Sequence, residues 1–243
     1  MAWSSPRQSR ADALADGTID ANMGTLYLVR HGQASFGAAD YDQLSPLGQQ
    51  QSRRLGVWFR ECGLRFDAVL TGTLRRHLQT LAGIEDGLQA RHAALSLPGL
   101  NEYDSEAVVR AVHPGAIAAA EGLEMQRLHF RLLRHGLRQW MAGATQPVGM
   151  PTHAGFVAGV VGALDLVRQQ HADGTVLVVS SGGPIATAIG HVLGLAAEAV
   201  IELNLHIRNS AVSEFKVGPL RHSLITFNTL PHLDGDPAAV SYA

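Results

Sequence analysis

The chain reads as an α/β protein: a three-layer sandwich with a mostly parallel central sheet, helices on both faces and a helical insertion. Three observations predict this. Apolar runs of strand length recur at 26–29, 66–70 and 175–180. After each run come glycine- and serine-marked turns and then a helical stretch, the alternation that builds parallel sheets. The chain has 243 residues, 46% of them hydrophobic and 16% charged, enough for one domain with a sizeable core.

The elements follow in order. Leu26 to Val29 is a buried strand. Gly37 to Ser45 is a polar loop holding Asp40, Tyr41 and Asp42. Ser45-Pro46 starts a helix, serine as N-cap and proline at the first helical position. That helix carries Leu55 and Trp58 to about Cys62, where Gly63 ends it. Phe66 to Leu70 is the second strand. Thr71-Gly72-Thr73 breaks it ahead of a helix through Leu74, Leu78 and Leu81. Leu95 to Leu97 is a short third strand. Residues 105–150 form a mainly helical insertion, broken at His113-Pro114-Gly115 and at Gly143. A helix over 153–171 precedes the strand 175–180, and Ser181-Gly182-Gly183-Pro184 leads into another helix to about Leu193. Strands from Ile207 to Val217 and His222 to Phe227 close the chain as a hairpin around Gly218-Pro219.

Composition excludes several classes. Nineteen Lys and Arg against 21 Asp and Glu leave a net charge of −2, so no nucleic-acid footprint is expected. No apolar run reaches transmembrane length, so no membrane partner is expected either. The one cysteine, Cys62, cannot form an intrachain disulfide, which fits a cytoplasmic location. Residues 1–22 are polar and Ala-rich and read as a disordered leader, with Met23 a candidate start of the single domain 23–243. Twelve histidines invite a metal, but there is no His-Glu-x-x-His and no cysteine pair, so neither metal nor cofactor is expected. Oligomeric state stays open, a dimer included.

The chemistry begins where the first strand ends, at Arg30-His31-Gly32. Ligands of open α/β sheets sit at the carboxyl ends of strands. Arginine presents a fork of donors matched to phosphate oxygens, and histidine can accept a phosphoryl group as a covalent intermediate. Gly32 would let the backbone turn and a ligand approach. A second Arg134-His135-Gly136 has no strand before it and reads as structural.

Four segments in order resemble the histidine phosphatase superfamily, which includes the cofactor-dependent phosphoglycerate mutases. The first is the strand with Arg30-His31-Gly32. The second, Gly72-Thr73-Leu74-Arg75-Arg76-His77-Leu78-Gln79-Thr80, puts Arg76 in the slot of a second phosphate-clamping arginine. The third, Leu100-Asn101-Glu102-Tyr103-Asp104, puts Glu102 in the slot of the acid that protonates the leaving oxygen, with Asp104 a helix N-cap. The fourth is a departure: the strand to Ser180 continues in Ser181-Gly182-Gly183, where the family usually has His-Gly-Gly. Serine there keeps a hydrogen bond and loses a potential cation. A further departure is Ala34, where the family often has serine or threonine, with Ser35 next to it. Asn209-Ser210 resembles a segment preceding the last strands.

The resemblance implies catalytic roles for His31, Glu102, Arg30 and Arg76. It implies substrate contacts from Arg30, Arg76, Gln33, Ser35, Ser181 and Gly182. His113 and His153 are the histidines an insertion might carry to the corner vacated at Ser181, with a structural role favoured for both. The implied activity is hydrolysis of a small phosphorylated metabolite or other phosphomonoester through a phosphohistidine at His31. The segment after Gly32 looks like the phosphatase branch. The alternatives are mutase-type phosphoryl transfer and a weak or silent phosphate-binding protein, for which Ser181 is the argument.

Overall fold

In the computed structural model, residues 23–35, 42–115 and 123–242 are described. The leader, Asp40, Tyr41 and the middle of the helical insertion lie outside them. Strand β1, Gly24–Arg30, is the axis of the molecule. The others are β2 (Ala68–Thr71), β3 (Leu95–Ser96), β4 (Thr175–Ser180), β5 (Val212–Val217) and β6 (His222–Thr229). They form one sheet in the order β3-β2-β4-β1-β5-β6. The pairs β1–β4, β2–β4 and β2–β3 are parallel, whereas β5 runs antiparallel to β1 and to β6.

Alternation along the strands explains the two helical layers, because successive side chains point to opposite faces. Val176 and Val178 of β4 join one core with Leu26, Leu28 and Phe215; Leu177 and Val179 join the other with Val29 and Val69. The second face is covered by α1 (Pro46–Glu61) and α2 (Arg75–Leu88), which supply Leu55, Phe59, Leu81 and Ile84. The first face takes α3 (Ser105–Val112), α4 (Leu123–Met141), α5 (His153–Gln170), α6 (Gly182–Leu193) and α7 (Ala197–His206). Residues predicted as an insertion, Val108, Val109, Leu133, Leu137 and Trp140, are therefore part of the main core.

Local signals place the helix starts. Ser45 caps α1 by accepting the Gly48 N–H, and Asp104 caps α3 by accepting that of Ala107. The first β5 residue is Val212 and not Ile207, since α7 occupies 197–206 and the next five residues form its link to the strand. Alpha7 was not foreseen: Ala196 at its N-cap makes no side-chain capping bond, so the usual start signal is missing. The second Arg-His-Gly is helical as predicted; Arg134 pairs with Glu198 and Glu202, and Gly136 lets α4 lie against Val108 of α3.

Gly56 sets the distance between α1 and α2. A Cβ there would fall 2.0 Å from the Ile84 carbonyl oxygen and 2.9 Å from the Leu88 nitrogen. Gly56→Ala must push α2 away, and overpacking of this kind costs about 1–3 kcal/mol. A lowered urea midpoint is the expected result.

Candidate active site

His31 leaves the end of β1 with its main chain held on both sides. Its N–H donates to Ser180 at 2.9 Å, and its carbonyl accepts the Ser210 N–H at 3.0 Å. The side chain is buried, and Nδ1 lies 2.7 Å from the Gly32 carbonyl oxygen. A carbonyl only accepts, so Nδ1 carries the proton and Nε2 the lone pair. Burial first, then the charges of Arg30 and Arg76 and the neighbouring His77, hold its pKa well below the usual histidine value. The ring is neutral at neutral pH, and Nε2 carries the lone pair a nucleophile needs.

Gly32 serves a different purpose from the one predicted. A Cβ there would sit 2.4 Å from the Gly48 carbonyl oxygen, so the space goes to α1 and not to a ligand. Its N–H donates to Thr80 Oγ1 at 3.0 Å, and that hydroxyl donates to the Arg76 carbonyl at 2.7 Å. Thr80 thereby ties the start of α2 to the end of β1.

Arg76 meets His31: its Nε lies 3.3 Å from His31 Nε2. Its Nη1 pairs with Asp42 at 2.7 Å. Asp42 also accepts the Arg75 N–H at 2.8 Å, capping α2 from a distant loop where Leu74 at the N-cap cannot. Arg30 is buried and donates from Nη1 to the Ile207 carbonyl. Arg76 thus touches His31, and both arginines lie within electrostatic reach of His31 and of Glu102.

Glu102 reaches the same place from the loop after β3. Its Oε2 accepts the Gly183 N–H at 3.0 Å and its Oε1 the Tyr103 N–H at 3.1 Å. Desolvation raises its pKa, against the pull of those two N–H groups and of both arginines. Gly183 makes this approach possible, since a Cβ there would fall 2.2 Å from Oε1. The Gly183 N–H is thus engaged by Glu102, while Gly182, a predicted substrate contact, packs against Asn204.

The corner at Ser181 is filled, by neither His113 nor His153. His113 ends α3, and His153 packs its ring on Trp140 with centroids 5.1 Å apart. The occupant is His77, the residue after Arg76. It is fully buried, its Nε2 lies 2.7 Å from Ser181 Oγ, and its ring centroid is 5.7 Å from that of His31. The sequence carried one signal for it: Gly72, where a Cβ would meet His77 Nδ1 at 2.2 Å.

Gln33 and Ser35 lie on the loop beyond. Gln33 Oε1 accepts the Ser45 hydroxyl at 2.8 Å, and the Ser35 N–H donates to Gln43 at 2.8 Å. The chain is pinned here by an antiparallel bridge between Ala34 and Leu44. Among the described residues, no group of three or more His, Cys, Asp or Glu is placed to hold a metal ion. Nor is any described helix long and apolar enough to cross a membrane.

A histidine and two arginines at the carboxyl end of the central strand of a mostly parallel sheet mark the class of phosphatases and phosphoglycerate mutases. The chain belongs to the histidine phosphatase superfamily (branch 1), whose family model matches residues 26–229. Over 69 residues it is 33% identical to a broad-specificity phosphatase of Saccharomyces cerevisiae, a match spanning 26% of this chain and 30% of that protein. Over 235 residues it is 26% identical to a 2,3-bisphosphoglycerate-dependent phosphoglycerate mutase of Hamiltonella defensa, covering 81% and 89% of the two chains. The fold is shared with a phosphoglycerate mutase from Bacillus anthracis at a TM-score of 0.62 and 18% identity, covering 88% of this chain and 96% of that one.

Two buried histidines around the site make a stability prediction. Burial lowers His77 and His232 from 6.5 to about 3. Between those values the unfolded chain binds protons that the folded chain does not. Stability is therefore complete above about pH 6.5 and falls as pH drops toward 3, by about 1.4 kcal/mol per pH unit for each histidine. Buried His31, also depressed, adds to this slope; urea titrations between pH 7 and pH 4 should show stability falling on the acid side, about one proton shallower in His232→Gln.

Proposed function

We propose that the protein is a phosphomonoester hydrolase acting through a phosphohistidine at His31, on a small phosphorylated metabolite or other phosphomonoester. The observation that carries this reading is the state of His31: Nδ1 committed to the Gly32 carbonyl, Nε2 facing Arg76 at 3.3 Å. Nε2 attacks phosphorus, and the P–O bond to the leaving group breaks. The leaving oxygen takes the proton of Glu102. Water then attacks phosphorus, gives its proton to the Glu102 carboxylate, and the P–N bond breaks to return His31 and inorganic phosphate.

Arg30 and Arg76 neutralise the phosphoryl oxygens throughout, the work that a metal ion does elsewhere. Gln33 has its carboxamide oxygen committed to Ser45, which leaves its N–H2 as the donor to substrate. Ser35 and Gly182 complete the proposed substrate contacts. A second reading, transfer of the phosphoryl group to another hydroxyl, is favoured by the long alignment with a phosphoglycerate mutase. The same phosphohistidine serves both, and product analysis with 3-phosphoglycerate and 2,3-bisphosphoglycerate separates them.

His31→Ala should abolish hydrolysis of para-nitrophenyl phosphate without unfolding the protein; unchanged turnover would refute the phosphohistidine. Arg76→Ala should cost about 3–4 kcal/mol of transition-state stabilisation, read from kcat/KM.

Glu102→Gln separates leaving groups. Alkyl phosphates need the proton and should slow far more than aryl phosphates, and equal slowing argues against the role. The raised pKa of Glu102 also fixes a sign. Alkyl phosphate turnover falls as pH rises through that pKa, because the acid form is lost, and the Gln variant should lack this limb. On the acid side, turnover falls only when His31 is protonated, below its depressed pKa.

A further inference from the structure

The Ser181–His77 contact is a buried side-chain pair at the site that the mechanism above does not use. Ser181 is the N-cap of α6, yet its side chain makes no capping bond to that helix. Its hydroxyl turns instead to His77 Nε2, 2.7 Å away. Both residues are fully buried. His77 Nδ1 faces the Cα of Gly72 and has no hydrogen-bond partner.

That orphaned nitrogen decides the direction of the bond. If the serine donated to Nε2, the histidine proton would sit on Nδ1 as a buried, unmatched N–H. If Nε2–H donates to the serine, Nδ1 keeps only an unmatched lone pair. Buried orphan donors are the rarer and costlier case. His77 therefore donates, Ser181 Oγ accepts, and the serine proton is left to donate elsewhere. His31 lies beside this pair, its ring centroid 5.7 Å from that of His77.

We propose that Ser181 and His77 form a donor dyad in which the Ser181 hydroxyl hydrogen-bonds an oxygen of the transferring phosphoryl group and His77 orients and polarises that hydroxyl. Ser181 is the substrate-contacting residue and His77 its positioning residue. The proposal rests on the reading of this site as a phosphate site. It also predicts that Ser181→His alone damages the site, because His77 already fills the space.

The test uses the full chain with Ser181→Ala, His77→Ala, the double variant, and the exchange His77→Ala/Ser181→His. Ser181→Ala removes one oxygen and keeps the packing. It should lower kcat on para-nitrophenyl phosphate about a hundredfold. His77→Ala should fall comparably, and the double variant no further than the worse single, since the two act as one unit. The exchange variant should regain activity over His77→Ala. Unchanged kcat in Ser181→Ala, or losses that multiply in the double variant, would overturn the dyad. So would a trapped phosphoenzyme that is acid-stable and base-labile, the signature of a phosphoserine, since Ser181 would then be the nucleophile. If the wild type proves inactive, inorganic phosphate binding by calorimetry replaces kcat. Equal loss of affinity in both single variants then supports the dyad while hydrolysis fails, and unchanged affinity overturns it.

Discussion

The site depends on the two main-chain hydrogen bonds that clasp His31, one to Ser180 and one from Ser210. They exist because β1 is central, with parallel β4 on one side and antiparallel β5 on the other. A residue just past an edge strand would have only one such neighbour. The clasp needs Ser210 in an unusual conformation, with φ at 56°, which L residues seldom adopt. Its hydroxyl lies 2.9 Å from buried His232 Nε2, so the C-terminal segment holds the residue that holds His31. Gln51 of α1 extends this bracing by donating to the Ala239 carbonyl at 2.8 Å and to the Ser241 hydroxyl at 3.0 Å.

Around this fixed point the structure gathers positive charge and then shields it. Arg76 is paired with Asp42, which also caps α2, and Arg30 is anchored on a backbone carbonyl. A buried charge is expensive unless paired and hydrogen-bonded. These contacts hold the guanidinium groups in place, and under the proposed function that leaves little reorganisation for the reaction itself. The same field sets the neighbouring ionisation states. It helps to keep His31 neutral and opposes the burial that raises Glu102.

Much of this was legible in the sequence, for local reasons. Ser45-Pro46 and Asp104 act within one helical turn, so their capping roles follow from adjacent residues. Arg30 and His31 follow from a strand that stops at a glycine, although Gly32 admits α1 where a ligand had been expected. Alpha7 escaped because no polar N-cap announces it. His77 escaped for a deeper reason. Matching segments in order assigns each role to a position along the chain, whereas a binding corner is a volume that any neighbouring element can fill. Ser181 was read as a lost histidine, and a replacement was sought only at His113 and His153, on elements that follow the third segment in the chain. Its partner comes from α2, 104 residues earlier.

The choice of a neutral pair at that corner follows from the crowding of charge. Arg30 and Arg76 already act on His31, and the charge of Arg76 adds to desolvation in lowering His77 to about 3. A third cation at this depth would be repelled by both arginines and stripped of water. A serine fed by a neutral histidine offers a directed hydrogen bond without that penalty, because donor alignment survives where charge would not. Gly72 completes the arrangement from outside the site. Any side chain there would collide with the His77 ring, so this glycine makes the room that lets His77 reach Ser181.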